Sequence, residues 1–230
     1  MNKIARIYEI LLAEYGEQGW WPLTPRGSTR TEHHSGRPKS DVHRFEIMLG
    51  AILTQNTAWT NVEKALEQLQ VAGLVDMKKM RRARQPKVAG LVRSAGYFNQ
   101  KSERLILLAR FLDSSGMGAL SKKDAKTLRE IFLGVKGVGP ETADSIVLYA
   151  FEKPSFVIDA YTKRVFSRIG LCDVGVDYHA LQKMFEDALV CDVEVFKEYH
   201  ALIVELAKQH CKTKPVCEGC PVSKVCEKVF

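Results

Sequence analysis

The chain has 230 residues, of which 46% are apolar and 27% are charged, and its formal net charge is +7. This balance is typical of a globular protein, and no apolar run approaches the ~18 residues that a membrane-spanning helix needs, which excludes that class. The positive charge favours a polyanion as the partner. The N-terminus begins with an amphipathic pattern rather than a signal peptide, so we expect a cytoplasmic location, where cysteines indicate a metal site before disulfides.

Helical periodicity runs through most of the chain and alternating strand patterns are hard to find, so the sequence predicts an all-α fold. A first helix is expected at Lys3–Tyr15 and a second from Phe45 onward. Between them, residues 24–42 are polar and predict a mobile loop. Further helices are predicted over Asn61–Val71, Val88–Ala95, Gln100–Asp113, Asp124–Val135, Glu141–Phe151, Ala160–Ile169, Tyr178–Leu189 and Val193–His210.

Two of these helices are joined by the segment Leu133-Gly-Val-Lys-Gly-Val-Gly-Pro-Glu-Thr-Ala143. Gly137 and Gly139 permit a tight turn whose backbone can approach a ligand closely, and Pro140 suits the first turn of the following helix. The N–H groups at that helix start are an anion site suited to a phosphate group. The alternative is an ordinary corner between two helices, in which the glycines serve packing.

One helix after the hairpin comes Pro154-Ser-Phe-Val-Ile-Asp159. A helix-hairpin-helix with Gly-Val-Gly, followed by Pro-Ser and an aspartate, resembles the HhH-GPD superfamily of DNA glycosylases, the clan of endonuclease III. The resemblance runs from about Phe45 to the C-terminus. It implies a two-lobed, all-α fold, double-stranded DNA with a damaged base as the partner, and Asp159 as the catalytic aspartate. Asp159 would stabilise a sugar cation and orient or deprotonate a water; a helix N-cap is its other role, and the two are compatible.

Glu141 occupies the position at which the endonuclease III branch carries a lysine that attacks the sugar. A carboxylate cannot form an imine, so this departure implies a monofunctional glycosylase without AP lyase activity. Glu141 is itself a second catalytic candidate, the alternative being a first-turn acid that complements the helix dipole. DNA contacts are expected from the hairpin and the helix beyond it, through Lys136, Gly137, Val138, Gly139, Thr142 and Lys163.

Four cysteines lie near the C-terminus in the pattern Cys211-x5-Cys217-x2-Cys220-x5-Cys226. Four thiolates at this spacing suit one tetrahedral or cubane centre, so the residues alone leave zinc and an iron–sulfur cluster open. The resemblance favours a [4Fe-4S] cluster, since many relatives of endonuclease III carry such a loop at this end, usually with one residue more in the first gap. The remaining cysteines, Cys172 and Cys191, are interpreted as core thiols.

A glycosylase must extrude its target nucleotide, fill the gap and hold the base in a pocket. The resemblance places the gap-filling residue in Leu53-Thr-Gln-Asn-Thr57, where Gln55 and Asn56 are both candidates. An aromatic set is interpreted as the base pocket, the alternative for the paired tryptophans being the edge of a core: Trp20, Trp21, Phe45 and Trp59. Aromatic walls suit a cationic alkylated purine through stacking and cation–π attraction.

Trp20-Trp21-Pro22 and the segment Phe45-Glu-Ile-Met-Leu-Gly-Ala-Ile-Leu-Thr-Gln-Asn-Thr57 resemble the 3-methyladenine DNA glycosylase branch of the clan. We therefore predict removal of 3-methyladenine-type purines by base flipping and Asp-assisted hydrolysis. Two alternatives stay open. One is a bifunctional glycosylase and AP lyase acting on oxidised pyrimidines, and the other is a non-catalytic iron–sulfur protein that binds DNA.

The predicted organisation has two helical domains. Residues 42–154 carry the gap-filling segment and the hairpin, and residues 1–41 plus 155–230 carry the aspartate and the cluster loop, 211–226. DNA is expected to lie across a positive cleft between them. We expect a monomer that uses no membrane and, in a prokaryote, associates with the nucleoid.

Overall fold

The computed structural model describes residues 2–229, and within them the all-α prediction is confirmed, since the one β-type contact is an isolated antiparallel bridge between Leu23 and Glu32. The α-helices of this described part are α1 (Lys3–Tyr15), α2 (Asp41–Leu53), α3 (Trp59–Val71), α4 (Met77–Met80), α5 (Gln85–Leu91), α6 (Phe98–Ser115), α7 (Met117–Ser121), α8 (Ala125–Leu133), α9 (Pro140–Ser145), α10 (Ala160–Ile169), α11 (Tyr178–Ala188) and α12 (Val193–Gln209). None of them is long and apolar enough to cross a bilayer.

Besides shifts of a few residues at helix ends, two predicted helices differ in type and two short helices are additional. The helix predicted over Val88–Ala95 is α5 followed by a 3₁₀ turn, Arg93–Ala95, and the one predicted over Glu141–Phe151 is α9 continued by a π-helical turn, Ile146–Ala150. Helices α4 and α7 are additions to the predicted set, because segments of 4 and 5 residues contain too little periodicity to be recognised.

The chain divides into two compact units, a terminal unit formed by the described part of residues 1–20 and 154–230, and a central unit, residues 21–153. Residues 21–41, predicted above to join the terminal unit, therefore belong to the central one. The reason is local packing on α2. A Cβ placed on Gly50 would lie 2.8 Å from the ring of Trp21, and the N–H of Thr24 donates to the Glu46 carboxylate at 3.2 Å.

The terminal unit is built around an aromatic core. Phe156 and Phe185 stack with ring centroids 4.3 Å apart, and Phe196 and Tyr199 of α12 pack edge-on against Phe156. The Tyr199 hydroxyl also donates to the carbonyl of Ile4 at 2.8 Å, which connects α12 to α1. Phe166 of α10 packs edge-on against Phe185 with ring centroids 4.6 Å apart, which connects α10 to this core.

The central unit is organised around α2, in which every residue from Phe45 to Leu53 is buried. A helix that is buried on all sides forms the middle of a helical domain. It begins at Asp41 rather than Phe45, because the hydroxyl of Ser40 accepts the N–H of His43 and caps the helix. The loop over residues 24–42 lacks helix as expected up to Ser40, yet Thr24 and Pro38 are buried, so parts of it are anchored; its predicted mobility stays a prediction.

Candidate functional site

Asp159 caps α10, as one of its two predicted roles requires. Its Oδ1 accepts the backbone N–H of Thr162 at 2.7 Å and the hydroxyl of the same residue at 2.8 Å. The Asp159 residue is 9% exposed. Burial disfavours its charged form, but the neighbouring His200 and the two donors of Thr162 outweigh burial, and the pKa of Asp159 lies below its usual range. The carboxyl is therefore ionised at neutral pH.

His200 is a site residue that the sequence patterns did not predict. It lies on α12 with Nε2 3.5 Å from Oδ2 of Asp159, the oxygen that does not cap α10. Its side chain is largely buried, with 16% of its surface exposed. The sequence signal was a single histidine on a largely apolar face of α12, and such a histidine is more often a packed core residue than a functional one.

The hairpin forms between α8 and α9 as predicted. Gly137 adopts φ +86°, which L side chains rarely adopt, and a Cβ there would come within 2.5 Å of the Arg104 side chain on α6. Gly139 and Pro140 occupy the N-cap and the first position of α9. A buried ion pair between Arg129 of α8 and Asp144 of α9, with an N–O distance of 2.7 Å, holds the two helices together.

The predicted DNA contacts of the hairpin differ in accessibility. Lys136 is exposed and pairs with Glu103 at 2.7 Å, whereas Val138 and Thr142 are buried. Glu141 is exposed in the first turn of α9, where an acid complements the helix dipole. Lys163, in the terminal unit, donates to the carbonyl of Val176 at 3.0 Å.

Gln55 and Asn56 follow α2 and are placed very differently. The Gln55 side-chain amide donates to the carbonyl of Gly137 at 3.0 Å and to Oγ1 of Thr142 at 2.9 Å, and its oxygen accepts from Arg104. Asn56 is exposed and adopts φ +52°. Gln55 thus links its loop to the hairpin, and Asn56 is the more accessible of the two candidates.

Tyr97 is a second residue that the sequence patterns did not predict. It is 69% exposed, lies directly before α6 and adopts φ +44°, a left-handed conformation that is uncommon for a residue other than glycine. The carbonyl of Ala95, two residues earlier, accepts from Oγ1 of Thr57. The turn that carries Tyr97 therefore lies beside the loop that carries Asn56. An exposed aromatic ring on a left-handed backbone is a signal that only the structure provides.

The four aromatic residues predicted to form the base pocket do not line one common surface. Trp21 packs edge-on against Trp59, with centroids 5.4 Å apart, and against Tyr149 at 5.2 Å. Trp21 and Phe45 are buried, at 7% and 1% exposure, so Phe45 is a core residue in this structure. Trp59 is half-buried and belongs to the central unit, while Trp20 is half-buried and belongs to the terminal unit. Tyr149, which contacts Trp21, lies on the π-helical turn after α9.

The four C-terminal cysteines line one cavity, together with apolar side chains of α10 and α12. Burial raises the pKa of Cys220, and the other three cysteines, which are close enough to repel its thiolate, raise it further. Arg168 of α10 reaches into the same region and donates to backbone carbonyls of the loop, its distance to Sγ of Cys211 being 3.5 Å. Cys172 is half-buried and Cys191 is exposed, so the latter is not a core thiol.

The chain is similar to known DNA repair proteins over the segments described above. The family profile described as HhH-GPD superfamily base excision DNA repair protein matches residues 49–189, a stretch that contains the hairpin and Asp159. A candidate DNA repair glycosylase of Methanocaldococcus jannaschii is 41% identical over 227 residues, which cover 97% of this chain and 95% of the relative.

Two solved structures extend the comparison. The 3-methyladenine DNA glycosylase of H. pylori, bound to 1,N6-ethenoadenine, matches with a TM-score of 0.71 at 27% identity and covers 90% of this chain and 98% of its own. A trapped endonuclease III–DNA covalent intermediate matches with a TM-score of 0.77 at 18% identity, covering 99% and 97%. At the latter identity the likeness concerns the fold.

Proposed function

Since the chain belongs to the HhH-GPD superfamily of base excision DNA repair proteins, we propose that this DNA glycosylase removes alkylated purines by hydrolysis and leaves the DNA strand uncut. The observation that carries the proposal is the Asp159 carboxylate, which is nearly buried and held by Thr162 and His200 at the start of α10. An ionised carboxylate fixed in a site of low dielectric stabilises the positive charge that develops on a sugar as its base departs.

The reaction divides into charge stabilisation and water attack. When the bond from the sugar to an alkylated purine breaks, the base takes the bonding electron pair and the sugar becomes cationic. Asp159 meets this cation as an anion, because its lowered pKa keeps it ionised. The same low pKa makes it a weak proton acceptor, so its main tasks are electrostatic stabilisation and orientation of the water. That water adds to the sugar carbon and releases its proton to solvent.

Strand cleavage through a Schiff base requires an amine at the sugar. In this chain the corresponding hairpin position carries Glu141, an exposed carboxylate. Two lysines lie near this position in the sequence, and both have partners: Lys136 pairs with Glu103, and Lys163 donates to the carbonyl of Val176. These contacts support a glycosylase that acts without AP lyase chemistry.

The proposed substrate rests on aromatic character and on similarity. Trp59, backed edge-on by Trp21, offers a half-buried ring, and ring faces attract cations by ~0.5–2 kcal/mol per contact. A purine alkylated at N3 or N7 is cationic and leaves as a neutral base. The aromatic face of Trp59 therefore favours binding of such a purine. The H. pylori structure with 27% identity is a 3-methyladenine glycosylase, which agrees with this substrate class.

Contact with the duplex is proposed through the two neighbouring turns of the central unit. Asn56 and Tyr97 are exposed side chains on these turns, and both have left-handed backbone conformations. Strained, exposed residues cluster where proteins hold ligands. An aromatic ring can stack on a base, and a short polar side chain can fill the space that an extruded nucleotide leaves.

The cysteine cavity has the donor set that an iron–sulfur cluster uses, although within residues 2–229 no three metal-ligating side chains are drawn together around a single metal ion. Four thiols line one space together with apolar residues such as Leu206 and Val222. We propose that Cys211, Cys217, Cys220 and Cys226 hold a [4Fe-4S] cluster. When bound, such a cluster supplies cross-links between the four thiolates, which would stabilise a loop that has no regular secondary structure of its own.

The test is base release from duplexes that each contain one lesion, with strand scission scored separately. The proposal expects release of 3-methyladenine or 7-methylguanine without scission, and no covalent complex after borohydride reduction. Efficient scission at thymine glycol with borohydride trapping would contradict both the substrate and the monofunctional mechanism. Binding to all lesions without any base release would instead favour a non-catalytic DNA-binding protein.

A further inference from the structure

Lys101 is a buried cation that the proposed chemistry does not use. It lies in the first turns of α6 and is 1% exposed. Its Nζ donates to the carbonyl of Leu53 at 2.8 Å, to Oγ1 of Thr57 at 2.7 Å and to the carbonyl of Ala95 at 2.8 Å. An ammonium group has three N–H donors, so each of them has a partner.

The three acceptors of Lys101 lie on two different turns. Leu53 ends α2 and Thr57 closes the loop that follows it, whereas Ala95 ends the turn before α6. Oγ1 of Thr57 also donates to the carbonyl of Ala95, so the hydroxyl and the ammonium form one network. This network is flanked by Asn56 and Tyr97, the exposed residues with left-handed backbones.

Burial makes the charged form of Lys101 less favourable than it is in water. Burial, with the charge of Arg104 as a second cause, lowers the pKa of Lys101 to about 8. A pKa below the ordinary value means that the folded protein holds this proton less tightly than the unfolded chain, so the charge weakens the fold at neutral pH.

We propose that Lys101 is a positioning residue that fixes the Asn56 turn and the Tyr97 turn relative to each other, so that both side chains enter a damaged duplex together. The inference rests on the proposed function, in which these two side chains meet the DNA. Without Lys101 the two turns keep the hydrogen bond from Thr57 to Ala95 and lose the three that the ammonium group supplies. Base extrusion requires that the inserted side chains be held in fixed positions. Small displacements of the two turns should therefore slow base extrusion strongly.

The test uses Lys101→Met in the full-length protein, with Lys64→Met as the matched control, since Lys64 lies on α3 and is not buried. A duplex carrying 2-aminopurine opposite an abasic-site analogue reports unstacking by its fluorescence. The proposal expects Lys101→Met to lose most of the fluorescence increase that the wild type produces. Base release from a paired duplex should fall on the order of 10²-fold, while release of the same lesion from an unpaired bulge should change by roughly tenfold at most.

Folded Lys101→Met that unstacks the duplex and releases base like the wild type would overturn the inference, and so would equal losses on duplex and bulge. If Lys101→Met does not fold, Thr57→Val tests the inference instead, because it removes one acceptor of the network at nearly constant volume. Thr57→Val should lower base release from the paired duplex by a smaller factor and leave release from the bulge unchanged. Failure of the wild type to release alkylated purines would refute the proposed substrate. The fluorescence comparison on the abasic analogue would still decide the role of Lys101.

Discussion

Replacing Asp159 by asparagine separates the two roles of this residue. Asparagine is as good an N-cap as aspartate, so the hydrogen bonds from Thr162 can be kept while the negative charge is lost. Asp192 provides the matched control. It caps α12 through the N–H groups of Glu194 and Val195 and is exposed, so Asp192→Asn makes the same chemical change at another helix start.

The expected magnitude follows from burial. A sugar cation about 4 Å from a carboxylate gains about 4 kcal/mol at the effective dielectric constant of ~20 that suits groups such as Asp159. At 1.36 kcal/mol for each factor of ten, the loss of that charge slows base release on the order of 10³-fold. Stability changes less, because the cap survives. The attraction to His200 across 3.5 Å is lost only to the extent that the histidine is protonated.

The assay is single-turnover base release with enzyme in excess over a duplex that carries one alkylated purine. Thermal unfolding of each variant and its affinity for an uncleavable abasic analogue are measured beside it. Asp159→Asn should bind and fold like the wild type and release base far more slowly, whereas Asp192→Asn should match the wild type. Wild-type release rates from a folded Asp159→Asn would refute the assignment of this carboxylate to catalysis.

Three other substitutions test the hairpin, the cluster loop and the buried lysine. Gly137→Ala places a Cβ at φ +86° against a side chain of α6, so it should destabilise the protein by at least ~1–2 kcal/mol, whereas Gly139→Ala, with open space around it, should leave the unfolding free energy unchanged; equal unfolding temperatures of the two variants would contradict this. Cys220→Ser should abolish the visible absorption of an iron–sulfur cluster in protein purified without air, while Cys172→Ser should retain it; absorption in both variants would exclude the assigned ligand. Between about pH 8 and the ordinary lysine pKa of 10.5, Lys101 is protonated in the unfolded chain and has lost its proton in the folded protein. The unfolding free energy of the wild type should therefore rise with pH over this range, relative to that of Lys101→Met. Parallel stability curves in denaturant across that pH range would show that the pKa of Lys101 is not lowered.

Features that depend on neighbours along the chain could be predicted from the sequence. Helices have a local period and local caps, so most elements, including the cap at Asp159, are encoded within a few residues each. The hairpin depends on glycines at fixed offsets, and the metal loop depends on the spacing of its cysteines. Because these motifs are local in the chain, they are sufficient to indicate the family.

Contacts between distant residues depend on the tertiary structure. His200 reaches Asp159 because α12 packs beside α10, and no pattern within either helix announces that contact. Trp21 and Thr24 belong to the central unit, and Phe45 lies in its core. The reason is that α2 is buried on all sides, so residues from before it in the chain must pack on it. Side-chain partners of this kind are set by three-dimensional packing and electrostatics, which a one-dimensional pattern does not contain.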